Sequence, residues 1–259
     1  MEINITKEQV LNGIKNGEFK MYLQFIVEND CKTVSSAEAL CRWEHSEYGL
    51  LLPGKFLGFI EEQELISDFD YYMFEEVCKQ LEIWNNDNEF GNMLISCNIT
   101  RHTLSDTAFF KKIKEISEKY SFDRSKLAIE ITEDMCEDDF SVARSNIKKC
   151  SEYGIYILLD DMGDGYAALS DMRDYRIDVV KLDRRLLLNT VTKEGRDNFC
   201  SIVEMAHKLN IKTCAEGIET EEQRDFALAS GSDLLQGWYF SLPETVSDCE
   251  NSIRKFQKM

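Results

Sequence analysis

Acidic, amide and amine side chains stand at or near the ends of short apolar segments along this chain. Asp160 and Asp161, for example, directly follow the apolar residues 155–159. Charged side chains in or next to buried strands are unfavourable unless they are paired or bind a metal. Carboxylates gathered at one place also raise one another's pKa values, so the pattern predicts a cradle for divalent cations. This polar set consists of Glu38, Asn98, Glu130, Asp160, Asp161, Lys181, Asp183, Glu216 and Gln236.

The chemistry that such a set predicts is metal-assisted attack of water on a phosphodiester. Adjacent carboxylates such as Asp160 and Asp161 can place one group between two ions and the other on the second ion. Two metals about 3.5–4 Å apart activate a water and stabilise the departing oxygen. Lys181 would orient that water or balance the oxyanion, or it would form a structural ion pair, and both roles stay open. The planar guanidinium of Arg42 matches phosphate oxygens, which predicts a phosphate clamp.

Each of these positions, taken alone, has a second interpretation. Acidic residues at a helix N-terminus stabilise the helix dipole, and the end of a strand can simply be solvated. The repetition of polar residues at strand after strand favours the metal cradle.

Composition limits both the metal and the partners. The three histidines, His45, His102 and His207, are scattered, and the nine cysteines include no Cys-x-x-Cys pair. Oxygen ligands must therefore hold any metal, which favours Mg²⁺, Mn²⁺ or Ca²⁺. The formal charge of −18 disfavours nucleic-acid polymers and anionic membranes as partners. Because the sequence has neither a membrane-length apolar run nor a signal region, we expect a soluble, cytoplasmic protein with reduced thiols.

Short β-type segments alternate with helical patterns and must position the polar set. Continuous apolar strands such as residues 155–159 predict a mostly parallel sheet that helices cover on the outside. Only about six residues, 28–33, separate the first two strands, too few for a parallel crossover, so we expect an antiparallel hairpin there. The predicted fold is α/β, a modified TIM (β/α)₈ barrel whose strand ends converge on one mouth. The predicted strands are 19–27, 34–43, 93–99, 126–131, 155–160, 177–182, 211–216 and 234–240, and the main helices are 68–84, 106–120, 138–153, 193–209 and 220–229.

At these residues the chain resembles EAL-domain cyclic-di-GMP phosphodiesterases. Seven separated motifs stand in order at compatible spacing, and such a series is far more specific than any single tripeptide. The resemblance implies an EAL-type barrel with an antiparallel first strand and one domain over 1–259, with an N-terminal helix in 1–17, the barrel in 18–245 and a C-terminal helix in 246–259. The motifs are Glu38, Ala39 and Leu40 with Arg42 and Trp43; Asn98; 130–133; Asp160 and Asp161; Asp178, Lys181 and Asp183; 215–220; and Gln236 with Gly237.

The resemblance also implies an activity, namely hydrolysis of cyclic di-GMP to linear 5'-pGpG with two Mg²⁺ or Mn²⁺ ions. Ca²⁺ is expected to inhibit, because it would occupy the site in a poor geometry. The metal ligands that the resemblance implies are Glu38, Asn98, Glu130, Asp160, Asp161 and Glu216, with Asp160 bridging the two ions. Glu38 belongs to the catalytic set, and Lys181 and Glu216 would flank the attacking water, with the group that takes its proton left open.

Other positions are implied to bind the substrate or to support the site. Glu133 would steady the loop that begins at Asp160, and a homodimer is expected near that loop. Tyr239 or Phe240 would stack on guanine or would pack within the barrel. The implied substrate-binding residues are Leu40, Arg42, Asp183, Glu219 and Gln236.

The loop 160–169 departs from the family pattern. Met162, Asp164, Ala167 and Ala168 replace the more usual Phe, Thr, Ser and Ser. Hydroxyls lost there would loosen the second metal without changing a ligand. This departure motivates an alternative function, a catalytically silent EAL domain that senses cyclic di-GMP or docks onto a protein. A different metal-dependent barrel hydrolase is a third interpretation.

Overall fold

The computed structural model describes residues 4–132, 141–162 and 176–258. The sheet begins with an antiparallel pair, β1 (Phe19–Glu28) and β2 (Val34–His45), in which Gln24 lies opposite Glu38. The hairpin expected from the short connection is therefore confirmed. The other strands are β3 (Gly49–Leu51), β4 (Leu94–Asn98), β5 (Leu127–Thr132), β6 (Tyr156–Met162), β7 (Val179–Leu182), β8 (Lys212–Ala215), β9 (Leu234–Leu235) and β10 (Glu244–Thr245).

Eight of these strands close a barrel. From β2 the sheet continues in parallel through β4, β5, β6, β7, β8 and β9, and β9 then pairs antiparallel with β1. The short strands β3 and β10 extend the sheet beyond β2 and β1. The architecture is the predicted modified TIM barrel with an antiparallel first strand.

Helices surround the barrel and bury its outer face. Several begin at a threonine whose hydroxyl accepts a backbone N–H, as at Thr6, Thr192 and Thr220. Measured over the described ranges, every helix is too short or too polar to cross a bilayer. The helices are α1 (Lys7–Asn16), α2 (Leu57–Glu62), α3 (Ile66–Asn85), α4 (Arg101–Leu104), α5 (Phe109–Ser117), α6 (Ser141–Glu152), α7 (Arg184–Asn189), α8 (Lys193–Lys208), α9 (Glu221–Ala229) and α10 (Val246–Phe256).

Strand alternation divides the barrel wall into two environments. Outward side chains such as Ile95, Ile129 and Leu159 join the main core beneath the helices. Inward side chains near the carboxyl ends of the parallel strands are polar, including Glu38 on β2 and Glu130 on β5. The period-two alternation thus places these polar side chains inside the barrel at one end.

The last strand is shorter than the sequence pattern indicates. Residues 234–240 are predicted as one strand, but β9 ends at Leu235. The Ile218 amide donates to the Gln236 carbonyl, and the Tyr239 amide donates to the Ile218 carbonyl. A Cβ on Gly237 would lie only 2.1 Å from the Ile218 carbonyl oxygen, so glycine allows the chain to turn away against that residue.

The predicted helices show smaller differences of the same kind. Residues 106–120 contain only the helix α5, Phe109–Ser117, because Asp106 accepts the Ala108 amide and forms a turn before the helix. The start predicted at 138 lies outside the described residues, and α6 is described from Ser141 onward.

Candidate active site

The ammonium of Lys181 lies at the centre of a ring of carboxylates inside the barrel. Lys181 is only 1% exposed. Its Nζ lies 2.5 Å from Glu130 Oε2, 2.7 Å from Glu216 Oε1, 3.2 Å from Glu38 Oε2 and 3.4 Å from Asp160 Oδ1. Lys181 lies on β7, Glu130 on β5, Glu38 on β2 and Asp160 on β6, and Glu216 follows β8. The barrel thus brings together side chains that are far apart in sequence. We call these four carboxylates and Lys181 the carboxylate ring.

Amide side chains complete the surroundings of Glu38. Asn98 Nδ2 donates to Glu38 Oε1 at 3.0 Å, and Gln236 Nε2 donates to Glu38 Oε2 at 2.7 Å. Burial opposes the charge of Glu38, but Lys181, Gln236 and Asn98 outweigh it and hold its pKa below the ordinary value. Glu38 is therefore a fixed anion with both oxygens engaged.

Glu130 and Glu216 have the opposite protonation behaviour. Burial and the neighbouring charge of Glu38 raise the pKa of Glu130 to about 8, although Lys181 opposes the change. Burial also raises the pKa of Glu216 well above its ordinary value, with added repulsion from Asp160 and Glu38. The carboxylates raise the pKa of Lys181 against its own burial. The single positive charge of Lys181 is thus too small to neutralise the four carboxylates around it.

Asp161 and Asp183 lie at the rim of the carboxylate ring. Asp161 has a φ of 58°, in the left-handed region, and its amide donates to Asp160 Oδ1 at 2.9 Å. Burial and repulsion from Asp160 and Asp183 raise the pKa of Asp161. Asp183 accepts the Arg185 amide as N-cap of α7 and also accepts Arg185 Nε at 2.6 Å. Asp183 therefore caps a helix. Stabilising a helix N-terminus is the alternative role considered above for the acidic residues of the polar set.

The donor set fits a hard divalent cation, although the side chains are not arranged around one. Within the described ranges no group of three or more His, Cys, Asp and Glu is positioned to hold a metal as it stands. Lys181 Nζ lies instead among the carboxylates. Glu130 Oε1 is buried and has no hydrogen-bond partner among the described residues. Carboxylate and amide oxygens with surplus negative charge and an unsatisfied buried oxygen are suited to Mg²⁺ or Mn²⁺.

Several predicted site residues lie outside the carboxylate ring. Glu219 forms an ion pair with Arg184 at 2.7 Å. Arg42 follows Glu38 and Leu40 on the same face of β2, and its guanidinium donates to the Cys41 carbonyl and lies 5.6 Å from the Tyr22 ring centroid. Glu133 and its predicted contact with the loop lie outside the described residues.

The aromatic residues after Gln236 have different surroundings. Phe240 packs against Phe256 with ring centroids 6.2 Å apart. The Tyr239 hydroxyl accepts Arg224 Nη1 at 2.6 Å. Trp238 is 64% exposed, the largest exposed aromatic surface near Gln236. Sequence reasoning considered Tyr239 and Phe240 and missed Trp238, because position along a strand pattern does not tell which ring the turn at Gly237 leaves outside.

Two further polar residues at the site were also missed. Gln24 on β1 accepts Gln236 Nε2 at 3.3 Å and donates to the Ser241 carbonyl at 2.8 Å. Asp70 on α3 is buried, and its Oδ2 accepts the Thr100 amide at 3.0 Å and the Thr100 hydroxyl at 2.6 Å. Thr100 caps α4, just after Asn98. The available signal was a polar residue within an otherwise apolar segment, in residues 22–27 for Gln24 and in the α3 pattern for Asp70.

A cavity of about 420 Å³ adjoins the carboxylate ring on one side of the mouth. Leu40, Asn98, Thr100 and Glu130 line it together with apolar side chains of α2 and α3. Its volume falls within the range of about 300–1,000 Å³ that is typical of small-molecule sites. Apolar walls beside convergent polar groups suit a flat base carried on a phosphate.

Comparison with known proteins places this barrel in a family. The EAL domain family model matches residues 7–243. The signaling protein YkoW of Bacillus subtilis is 30% identical over 243 residues, covering 93% of this chain and 30% of that protein. The cyclic di-GMP phosphodiesterase PdeR of Escherichia coli is 29% identical over 227 residues, covering 87% of this chain and 34% of that protein. The chain thus spans about a third of the length of these curated relatives.

Solved structures agree with the family match. The PaMucR phosphodiesterase in complex with c-di-GMP superposes with a TM-score of 0.88 at 25% identity, over 93% of this chain and 98% of that one. An EAL domain protein from Listeria monocytogenes has the same fold, with a TM-score of 0.84 at 24% identity, over 96% of this chain and 98% of that one. With an antiparallel opening strand, a ring of acidic residues at the mouth and a match over nearly its whole length, the chain belongs to the EAL domain family.

Proposed function

We propose that this chain is a metal-dependent phosphodiesterase that hydrolyses cyclic di-GMP to linear 5'-pGpG. The carboxylate ring is the observation that supports the proposal most, because three strands and the residue after β8 place acidic oxygens around Lys181. The substrate assignment is supported by the names of the relatives, one a cyclic di-GMP phosphodiesterase and one a phosphodiesterase in complex with c-di-GMP.

The proposed metal ligands divide between two ions of Mg²⁺ or Mn²⁺. Glu38, Asn98, Glu130 and Asp160 would hold the first, and Asp160 and Asp161 would hold the second. Glu216 belongs to the same carboxylate ring, with Oε1 2.7 Å from Lys181 Nζ, and is proposed as a further metal ligand. When bound, the two ions would supply a water of lowered pKa and neutralise charge on the phosphate.

The residues of the chain itself would control the proton. Lys181 stays protonated because the carboxylates raise its pKa, so it acts as a donor that orients water or the phosphate oxygen. Glu216 is 2.7 Å from Lys181 Nζ, and its raised pKa makes it a stronger proton acceptor than an ordinary carboxylate. We therefore assign proton acceptance to Glu216 and orientation to Lys181.

Substrate binding would depend on the metals. Cyclic di-GMP carries two phosphate charges, and the formal charge of the chain is −18. Bound cations would invert the potential at the mouth and allow the phosphates to approach. Arg42 is the proposed phosphate clamp, and the cavity beside Leu40 would accept a guanine. Asp183, Glu219 and Gln236 complete the proposed substrate contacts.

A turnover assay tests the proposal directly. Purified protein is incubated with cyclic di-GMP and Mg²⁺ or Mn²⁺, with a parallel sample in chelator, and the products are separated by chromatography. Release of pGpG only in the metal samples supports the proposal. Tight binding without turnover would support the silent sensor that the altered loop 160–169 motivates, and absence of both would leave another hydrolase or a docking role. The homodimer and the cytoplasmic location stay predictions.

A further inference from the structure

A buried carboxylate on the outer helix α3 holds the turn that follows Asn98. Asp70 is only 4% exposed, and its Oδ2 accepts both the Thr100 amide at 3.0 Å and the Thr100 hydroxyl at 2.6 Å. Burying a carboxylate is unfavourable unless its oxygens are hydrogen-bonded or paired. No ion pair in the described part of the chain includes Asp70, so the two groups of Thr100 are important partners of this carboxylate.

The turn between β4 and α4 is fixed on both sides. β4 ends at Asn98, and the next residue, Ile99, donates its amide to the Glu130 carbonyl on β5 at 3.0 Å. Thr100 then caps α4, with its hydroxyl oxygen 3.4 Å from the Thr103 amide. The chain after Asn98 is therefore attached to a barrel strand at Ile99 and to α3 at Thr100, where Asp70 supplies the acceptor.

The position of Asn98 depends on this turn. Its Nδ2 donates to Glu38 Oε1 at 3.0 Å, which orients the amide toward the carboxylate ring. The residue is nevertheless exposed, so neighbouring side chains do not enclose it. Its place beside Glu38 must then come mainly from the backbone, which the contacts at Ile99 and Thr100 hold.

We propose that Asp70 is a positioning residue that keeps Asn98 in place as a metal ligand by fixing Thr100. The inference rests on the proposed function, because Asn98 is a ligand only if divalent cations bind at the carboxylate ring. Asp70 would act through the hydrogen bonds that it accepts and not through its negative charge. Side chains behind a metal site orient the ligands and thereby tune the affinity for the ion.

The first test measures the Kd for Mn²⁺ in the absence of nucleotide, from the electron paramagnetic resonance signal of the free ion. Because Asp70 acts one step further from the ligand than groups whose removal weakens metal binding about 10–100-fold, we expect Asp70→Leu to raise this Kd at least about threefold. Asp70→Asn removes the charge but keeps an oxygen that can accept both groups of Thr100, so it should retain most of the affinity.

A second acidic residue of α3 provides the matched control. Glu75 accepts Lys119 Nζ and the Tyr120 hydroxyl, both at 3.0 Å, and lies outside the cavity that Asp70 and Asn98 line. Glu75→Leu therefore removes one carboxylate and two hydrogen bonds from the same helix, and it should leave the Kd unchanged. Parental affinity in Asp70→Leu, or an equal loss in Asp70→Asn and Asp70→Leu, would overturn the inference.

The second test asks whether Asp70 acts through Asn98. In an Asn98→Ala background, whose weaker binding is followed at higher Mn²⁺ concentration, Asp70→Leu should have no further effect on the Kd. A full additional loss there would also overturn the inference, since a general structural effect of Asp70 would persist without Asn98. If Asp70→Leu does not fold, Thr100→Val removes the hydroxyl contact and replaces it in both tests.

These results separate the inference from the proposed function. A parent protein that binds no Mn²⁺ would contradict the metal site itself and the inference with it. A parent that binds Mn²⁺ while Asp70→Leu binds it equally well would contradict only the role of Asp70. Because no nucleotide is present, a direct contact between Asp70 and a substrate could not produce the expected change.

Discussion

Replacing Lys181 with methionine removes the cation that four carboxylates share, two of which, Glu38 and Glu130, are buried. Its Nζ lies 2.5 Å from Glu130 and 2.7 Å from Glu216, and Lys181 is 1% exposed. Removing one partner of a buried ion pair typically destabilises a protein by about 3–5 kcal/mol, because the other charge stays buried without compensation. We therefore expect the metal-free Lys181→Met protein to lose that much free energy of unfolding.

The deficit should depend on pH with a definite sign. Burial and repulsion from Glu38 raise the pKa of Glu130 to about 8, and loss of Lys181 would raise it further. A group whose pKa is raised on folding contributes stability that is fully present below its unfolded pKa and is lost as pH rises through its folded pKa. The deficit of Lys181→Met should accordingly grow as the pH rises toward and beyond about 8, and shrink in acid where the carboxylates are protonated.

The assay is equilibrium urea unfolding followed by tryptophan fluorescence, in chelator and in excess Mn²⁺. If a divalent cation takes the place of the ammonium, Mn²⁺ should stabilise the variant more than it stabilises the parent. At a concentration about a hundredfold above Kd, the free energy of unfolding of the variant should rise by about 2.7 kcal/mol. Lys193→Met is the control, because it removes an exposed ion pair with Asp197, and exposed pairs contribute little. A Lys181→Met protein as stable as the parent in chelator at neutral pH, with no added response to Mn²⁺, would contradict this prediction.

Four further predictions concern the ligands, the loop, the metal and a buried acid. Glu38→Ala and Asp160→Ala should each abolish pGpG release in folded protein, as checked by circular dichroism, and full activity in both would contradict the metal cradle. Ala167→Ser with Ala168→Ser should raise kcat if the lost hydroxyls weaken the site, whereas an unchanged kcat would show that these departures do not matter. Ca²⁺ added to Mg²⁺-loaded protein should inhibit turnover, and turnover with Ca²⁺ equal to that with Mg²⁺ would contradict this expectation. Burial raises the pKa of Asp70 to about 6, so the free energy of unfolding should fall as pH rises from about 4 through 6. The variant Asp70→Asn should show a smaller fall, and a pH profile identical to that of the parent would show that Asp70 is not the group responsible.

Local rules predicted the features that depend on neighbouring residues. The short connection over 28–33 correctly required an antiparallel β1 and β2. The apolar segments also put Glu38, Glu130 and Lys181 on strands, and oxygens of Glu38 and Glu130 lie within 3.2 Å of the Lys181 ammonium in the structure. The roles of these residues in the site stay predictions.

Features that depend on tertiary contacts escaped the sequence reasoning. β9 ends early because Gly237 approaches the Ile218 backbone, a contact between residues that are distant along the pattern. Glu219 pairs with Arg184, a residue that no sequence pattern singled out. Asp70 reaches Thr100 from another element, and only the packing of α3 on the barrel shows why an acid is buried there.

Divalent cations are proposed to bind at the barrel mouth between oxygens from separate strands, and anomalous diffraction from crystals soaked in Mn²⁺ would locate them. We predict anomalous peaks among Glu38, Asn98, Glu130 and Asp160, with Lys181 Nζ displaced from the position it occupies between the carboxylates. A Mn²⁺-soaked crystal whose carboxylates still surround the ammonium, with no anomalous peak among them, would contradict the proposed metal site.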